Sequence, residues 1–556
     1  MEYDYIIVGA GSGGAALAGR LAALCPDASI ALVEAGPHTD RNWLVNTPLG
    51  IAALVPFKLN TNYGYRTVPQ PGLAGRSGYQ PRGKGMGGSS AINAMIYTRG
   101  HPLDYDEWAQ LGCRGWAWSD VLPYFRRAEG NVRGQNAWHG ADGPLTVSDL
   151  RFRNPFSERF VAAAVEAGFR PNDDFNGPEQ EGVGFYQVTQ RGGRRCSVAR
   201  AYLYEVEAEG EAGTPRGNIA MIADALVRRV LFDQARRATG VEVVRAGRVE
   251  VLRARAEVVL AAGAFGSPQL LMCSGIGPER NLRALGIPVI GDAPEVGANL
   301  IDHIDFTLNV RVRSSEPVGY SLRGLVRMGA QLPRYLSRGE GLWSSNVAEA
   351  GGFLKSDPAL DRPDLQLHFC AALVDDHSRR LHWGHGYSVH VCVLRPESRG
   401  SVTLASPDAR VAPAIDPRFL SDPRDAELLA RGVRIAQRIV AAPSLAVPGS
   451  RMLHVGTDTS DADLARLIAR HADTIYHPVG TCRMGSDARS VVDCELRVRG
   501  VERLRVVDAS VMPTLVGGNT NAPTVMIGER AAEFIAAARR AAHQPSAVPP
   551  ALPERV

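Results

Sequence analysis

The chain opens on an apolar run at residues 5–8, followed by Gly9, Gly11 and Gly14 and then by apolar residues at helical spacing over 15–24. A second apolar run at 30–33 ends on Glu34. This order predicts a buried strand, a tight turn, a helix, a second strand and an acid. Strand-like runs at 219–222, 228–232 and 241–245 predict a meander, and EVVLAAGAFGSPQ at 257–269 predicts another strand, a glycine turn and a helix starting near Ser267 and Pro268. Between these blocks the character changes. A helix is expected over 155–167, then loops rich in Asn, Asp and Gly, then a strand over 184–190. Beyond 303 the pattern is strand-rich again, with alternation at 401–404. The final block reads as a strand over 504–510 and a helix that has Pro523 as its first residue and Asn521 near its cap. The pattern therefore predicts an α/β fold in which one domain interrupts another. A nucleotide domain takes 1–153, 218–300 and 488–540. A second domain, a mainly antiparallel sheet with flanking helices, takes 154–217 and 301–487, and 541–556 is a loose tail.

At 556 residues the chain exceeds what one core usually holds, which agrees with two units. With 45% hydrophobic and 22% charged residues it has the composition of an ordinary globular protein. The net charge of +4 comes almost wholly from arginines scattered among acids, which argues against a nucleic-acid groove. The eight cysteines stand far apart, with no C-x-x-C pair, so reduced thiols and no metal are expected. The stretch 43–57 is apolar and free of charge but is broken by Pro48 and Pro56. It cannot span a bilayer as a helix and is read as a lid or an interfacial patch. Because the first motif begins at once, a cytoplasmic protein without a leader is expected. Trp116 and Trp118 are read as core.

The opening motif has the chemistry of a dinucleotide site. Gly9 permits the tight turn, Gly11 lets backbone approach a pyrophosphate, and Gly14 packs helix on sheet, with Ser12 and Gly13 between them at the helix N-terminus. Glu34 stands where it accepts hydrogen bonds from a ribose. A second small-residue cluster carries Gly83, Met86, Gly87, Gly88 and Ser89 and continues through Asn93 and Met95. It suits backbone approaching another part of a large ligand, and FAD is large enough to need it.

GKGMGGSSAINAMIYTRG, GAFGSPQLLMCSGIG, YHPVGTCRMG and GGNTNAPT, in that order, resemble the signature and active-site stretches of the glucose-methanol-choline (GMC) family of flavin oxidoreductases. The resemblance runs from about residue 3 to 538. It is strongest toward quinone-linked aliphatic alcohol dehydrogenases, with choline and sorbose dehydrogenases nearby. It implies FAD as cofactor and oxidation of a primary alcohol by hydride transfer to flavin N5. His477 is implied as the base and Asn521 as the partner of the developing alkoxide. It also assigns Val227, Asp508, Ala509, Pro523 and Thr524 to the cofactor, Val227 through its backbone. Covalent members carry a histidine where this chain has Ile92, so non-covalent FAD is implied. His101, His139 and His303 are read as structural or surface, although Asp302-His303 falls in a segment like the family's G-V-G-x-N-L-Q-D-H. A quinone-type acceptor and peripheral contact with the inner face of the membrane are implied as partners. The rival readings are a polyol, sorbose or choline dehydrogenase, a hydroxynitrile lyase of the same fold, and a non-catalytic flavin protein. No G-x-S-x-G elbow is present, which disfavours a hydrolase.

Overall fold

In the first of the two large sheets, buried apolar strands pair in parallel with the chain's first segment. The strand Glu2–Val8 lies between Ile30–Val33 and Arg248–Leu260, with Ile6 opposite both Ala31 and Val258. Ile219–Ile222 and Leu504–Val506 extend the parallel set, and Ala225–Phe232 and Ala238–Arg245 close an antiparallel meander. The computed structural model describes residues 1–204, 216–456 and 458–543. Most of the expected tail, 544–556, lies outside the described residues.

The opening helix, Ser12–Leu24, packs along the last helix, Asn521–His543. A Cβ on Gly528 would lie 2.6 Å from the Gly13 carbonyl, so the helices cross where both lack side chains. Gly9 has φ +103°, and a Cβ there would lie 2.4 Å from the Ala261 carbonyl. Only glycine turns the chain here against the neighbouring strand.

The helix expected to begin near Ser267 begins instead at Gly263 and runs to Cys273, with Pro268 inside it. Proline leaves the Ala264 carbonyl without its usual donor. The Thr481 hydroxyl fills that place, donating to Ala264 O at 2.6 Å. The strand expected over 184–190 is two short pieces, Gly182–Phe185 and Gln190–Arg191. The final helix starts at Asn521, two residues ahead of Pro523.

In the second sheet Ile304–Val312, Gly384–Val393, Leu365–Cys370, Ala348–Leu354 and Gly182–Phe185 lie in antiparallel order. Alternation divides its faces. Phe306, Leu308, Leu367, Phe369, Val389 and Val391 pack with Phe156, Phe160, Leu429 and Ile468 of the flanking helices. The opposite face carries Asp305, Thr307, Gln366, His368, Cys370, His390 and Cys392, and the register places Thr307, His390 and His368 side by side. This polar face turns toward the first sheet.

Several charged groups inside the scaffold are paired. Arg99 is 1% exposed and donates to Glu129. His139 bonds Glu129 at 2.9 Å through Nδ1 and Asp174 at 2.9 Å through Nε2. Burial works against charge on His139, but the Asp174 and Glu129 carboxylates overcome it and push its pKa up to about 9. A raised pKa makes this stabilisation complete below the unfolded value of about 6.5 and removes it as pH climbs through 9. We therefore expect His139→Gln to lower the melting temperature most at pH 6, with the gap from wild type narrowing by pH 9.5. A gap that is constant with pH in thermal melts would contradict this.

Candidate active site

A cavity of about 680 Å³ lies between the two sheets. Of the residues expected to bind cofactor, Gly9, Gly11, Ser12, Gly13, Glu34, Gly83, Gly88, Ser89, Asn93, Met95, Val227, Asp508, Ala509, Asn521 and Thr524 line it. Gly14, Met86, Gly87 and Pro523 stand behind the wall. Gly14 packs against Gly9, where a Cβ would lie 2.0 Å from the Gly9 carbonyl, and Met86 is fully buried.

Glu34 ties three loops together. Its carboxylate accepts N–H bonds from Ala10 at 3.0 Å, Gly36 at 2.9 Å and Gly85 at 2.9 Å. Burial raises its pKa, and the three amides work against that rise. Asp508 likewise accepts from Gly263 N at 2.8 Å and Ser510 N at 2.8 Å. These bonds fix the glycine loops along the nucleotide end of the cavity. The cavity fits FAD: a bare-backbone stretch at 9–13 for phosphates, a carboxylate for ribose, and an aliphatic Ile92 at the wall further along.

At the other end stands His477. Its backbone N–H donates to Asp302 Oδ1 at 2.8 Å, and Asp302 Oδ2 accepts from Thr474 Oγ1 at 2.6 Å. Burial pushes the Asp302 carboxyl up to about 6, against the pull of Thr474 and Arg82. Arg82 donates to the carbonyl of Tyr476, whose φ is +76°. The turn before the histidine is thus held from both sides.

The side chain's state follows from one carbonyl. His303 Nε2 lies 3.0 Å from Leu394 O, and a carbonyl only accepts, so that nitrogen carries the proton. Burial lowers the His303 pKa to about 3 and keeps it neutral, which leaves Nδ1 as an acceptor. His477 Nδ1 lies 2.9 Å from it and must be the donor. His477 Nε2 is therefore the bare, basic nitrogen. Burial first, then His303, His368 and Arg82, lowers the His477 pKa well below its ordinary value, so the ring is neutral. His303, read from sequence as structural, is 0% exposed and sets the tautomer of the catalytic candidate.

The asparagine against His477 is Asn519, with Nδ2 3.2 Å from His477 Nε2. Asn519 Oδ1 accepts from Thr98 Oγ1 at 3.2 Å and Gln366 Nε2 at 3.1 Å, which turns the amide N–H₂ to the cavity. Asn521, expected in that place, instead accepts from Ser12 Oγ at 2.7 Å. As the first residue of the last helix it points toward the opening helix, whereas Asn519 lies in the loop before it. That loop is held by Asp104, whose Oδ2 accepts the Gly517 N–H at 2.7 Å.

Two further cavity residues were not singled out in the sequence: His368 within Leu365–Cys370, and Asn346 in the loop before Ala348–Leu354. His368 is 4% exposed and neither of its ring nitrogens has a hydrogen-bond partner among the described residues. Asn346 donates to Ala94 O at 2.8 Å and Ala348 O at 3.0 Å, while its Oδ1 is unpartnered. Buried polar atoms left open beside His477 mark a place for a polar ligand group.

The GMC oxidoreductase N-terminal family profile matches residues 3–305, and its C-terminal counterpart matches 396–528. The alcohol dehydrogenase [acceptor] of Pseudomonas putida is 47% identical, over 96% of this chain and 95% of that protein. The oxygen-dependent choline dehydrogenase of Rhizobium etli is 40% identical, over 96% of each. Among solved structures, the formate oxidase of Aspergillus oryzae, described for its FAD modification, superposes with a TM-score of 0.88 at 26% identity and covers 97% of this chain and 99% of its own. Fold, cavity and these likenesses agree: the chain belongs to the GMC oxidoreductase family.

Proposed function

We propose that the protein oxidises primary alcohols, aliphatic ones favoured, to aldehydes. FAD is the cofactor, and it supplies the acceptor for the hydride leaving the alcohol carbon. The observation that carries this reading is the bare Nε2 of His477 facing the cavity, with its tautomer fixed from behind. That nitrogen takes the hydroxyl proton. The Asn519 amide donates to the oxygen as negative charge develops on it, and His368 and Asn346 complete the polar surroundings of the hydroxyl. Ile92 has no atom able to bond to a flavin, which supports non-covalent FAD.

The walls favour an alkyl chain over a cationic substrate. Toward its mouth the cavity is lined by Val318, Leu325, Met328, Trp343, Val347 and Leu373. The carboxylates among its described lining residues, Glu34 and Asp508, are at the nucleotide end and are taken by backbone amides. A quaternary ammonium group would meet Arg380 and the aromatic faces of Tyr476 and Trp343, with no open carboxylate among the described lining residues.

For the acceptor we propose a quinone, reached by docking on an anionic bilayer. The helix Leu322–Arg338 carries Arg323, Arg327, Arg334 and Arg338 and no acid. Its Leu322 is 75% exposed, and Leu325, Val326 and Leu336 are exposed beside it. Leu381 and Trp383 are also exposed, and Leu325 and Leu381 line the cavity, so the apolar patch meets the mouth. An apolar face rimmed by arginines fits the interface of an anionic membrane. The stretch 43–57, expected as an interfacial patch, adds exposed Trp43 and Phe57. Among the described residues no helix is long and apolar enough to cross a membrane.

Anaerobic titration of the flavin-loaded protein with straight-chain alcohols should bleach the flavin band, and choline should not. Bleaching by choline alone would overturn the aliphatic reading. His477→Ala should lower kcat by about 10²- to 10⁴-fold and Asn519→Ala by about 10²-fold, both with the flavin spectrum intact. Asn521→Ala should loosen FAD retention instead. A base with a lowered pKa stays deprotonated into mild acid, so kcat/KM should remain level from pH 8 to 6.5 and fall only below that. His303→Phe, which frees the tautomer, should reduce kcat at least about tenfold. Vesicles of phosphatidylglycerol should co-sediment the protein, those of phosphatidylcholine should not, and Leu325→Glu should abolish the difference. A protein that ignores lipid charge would remove the docking proposal.

A further inference from the structure

The polar face of the second sheet carries a group of side chains that alcohol oxidation does not use. His390 Nδ1 lies 2.7 Å from Asp305 Oδ2, and both residues are 6% exposed. Thr307 Oγ1 is 3.2 Å from the same nitrogen and 3.3 Å from the same carboxylate oxygen. Asp305 therefore holds the Nδ1 proton, and His390 presents Nε2. In the antiparallel register His390 stands opposite His368, two residues from Cys370 on the same face, and all three side chains line the cavity. Burial opposes charge on His390, but the Asp305 carboxylate and Cys370 outweigh it and favour the imidazolium.

Cys370 is distinct from the other cysteines. Among the described residues it is the cysteine that lines the cavity, and it is 7% exposed there. Burial pushes the Cys113 thiol up to about 12 and the Cys273 thiol up to about 11, and it raises Cys392 and Cys482 well above their ordinary value. Those four are inert thiols. Next to Cys370, the buried His368 has both ring nitrogens unpartnered and lines the same cavity, so the wall at this point is open to a polar ligand atom. A thiol on the same sheet face as an imidazole–carboxylate pair, at the wall of a cavity with open hydrogen-bonding groups, is an arrangement that suits a sulfur nucleophile.

We propose that Cys370, activated by His390 and Asp305, is a covalent capture site for soft electrophiles, with α,β-unsaturated aldehydes as the chemical class that fits both the thiol and the cavity. His390 Nε2 takes the thiol proton. Sulfur bonds to the β-carbon of the enal, the electron pair of the C=C bond moves to the α-carbon and carbonyl, and the α-carbon then takes the proton back from His390. No oxidant or leaving group is required. A carbonyl oxygen accepts from His368 during the addition. On the reading of the site as an alcohol-oxidising dehydrogenase centre, an allylic alcohol would be converted to such an enal within reach of this thiol, and turnover would alkylate the protein.

The test uses flavin-loaded protein and acrolein added directly, with intact mass and peptide mapping as readout. Cys370 should be modified first, at least about tenfold faster than Cys494, and His390→Gln or Asp305→Asn should slow its modification about tenfold or more. Cys370→Ser should keep the flavin absorbance and lose the fast adduct. Modification of Cys370 no faster than Cys494, or a rate unchanged in whichever of the two variants folds, overturns the proposal. In a second arm, allyl alcohol with an electron acceptor should yield the same adduct. An adduct from acrolein but none from allyl alcohol supports the thiol site and counts against the alcohol reading, so the two fail separately.

Discussion

A carbonyl oxygen accepts hydrogen bonds and never donates them, and at Leu394 this restriction propagates through two imidazoles to the cavity. It requires a proton on His303 Nε2, which requires an acceptor at His303 Nδ1, which requires the proton of His477 on its inner nitrogen. The outer nitrogen is left bare without any charged partner. A carboxylate behind the base would hold an imidazolium; a neutral histidine in the same place orients the ring while leaving its pKa low. Burial then ensures that neither ring is charged at rest.

The rest of the fold serves to bring that chain of bonds to one end of a cofactor channel. The first sheet supplies the channel through close backbone packing, where Gly13 meets Gly528 and Gly9 meets Ala261. The second sheet supplies the wall through alternation. One face buries Phe306, Leu367, Phe369 and Val391 against helices, and the face one residue out of phase necessarily presents Asp305, Gln366, His368, Cys370 and His390 to the cavity. Burying so many polar groups is tolerable because most are paired with one another. Among those that are not, His368 and the Asn346 oxygen line the cavity, where a ligand would meet them.

The stabilising elements are similar in kind on both sides of the cavity. Glu34, Asp104, Asp302 and Asp508 each bind backbone N–H groups of separate loops, and each is buried. Asp104 is also paired with Arg362 and Arg395, while Glu34 and Asp508, which each accept several amides, fix loop geometry through those bonds. Thr481 does the same with a hydroxyl, repairing the gap that Pro268 leaves in its helix.

The nucleotide motif was legible in the sequence because it is local: strand, glycine turn, helix and acid are consecutive, and each residue's role follows from its neighbours. The strand-rich pattern beyond residue 303, the alternation at 401–404 and the proline–glycine loop around His477 were legible for the same reason. What the sequence could not determine were relations across the chain. Asn519 and Asn521 are equivalent by eye in GGNTNAPT, and the choice between them rests on where the last helix begins and on Thr98 and Gln366, distant in sequence. His303 read as structural because its importance lies in a contact 174 residues away. Cys370 was one of eight scattered thiols until strand register set it on the strand next to His390, which Asp305 holds from the other side. Local pattern fixes which element a residue joins, since backbone hydrogen bonding and burial act over a few residues. Partners, tautomers and the reactivity of a thiol are decided only when separate strands pack together, because each depends on a hydrogen bond between them.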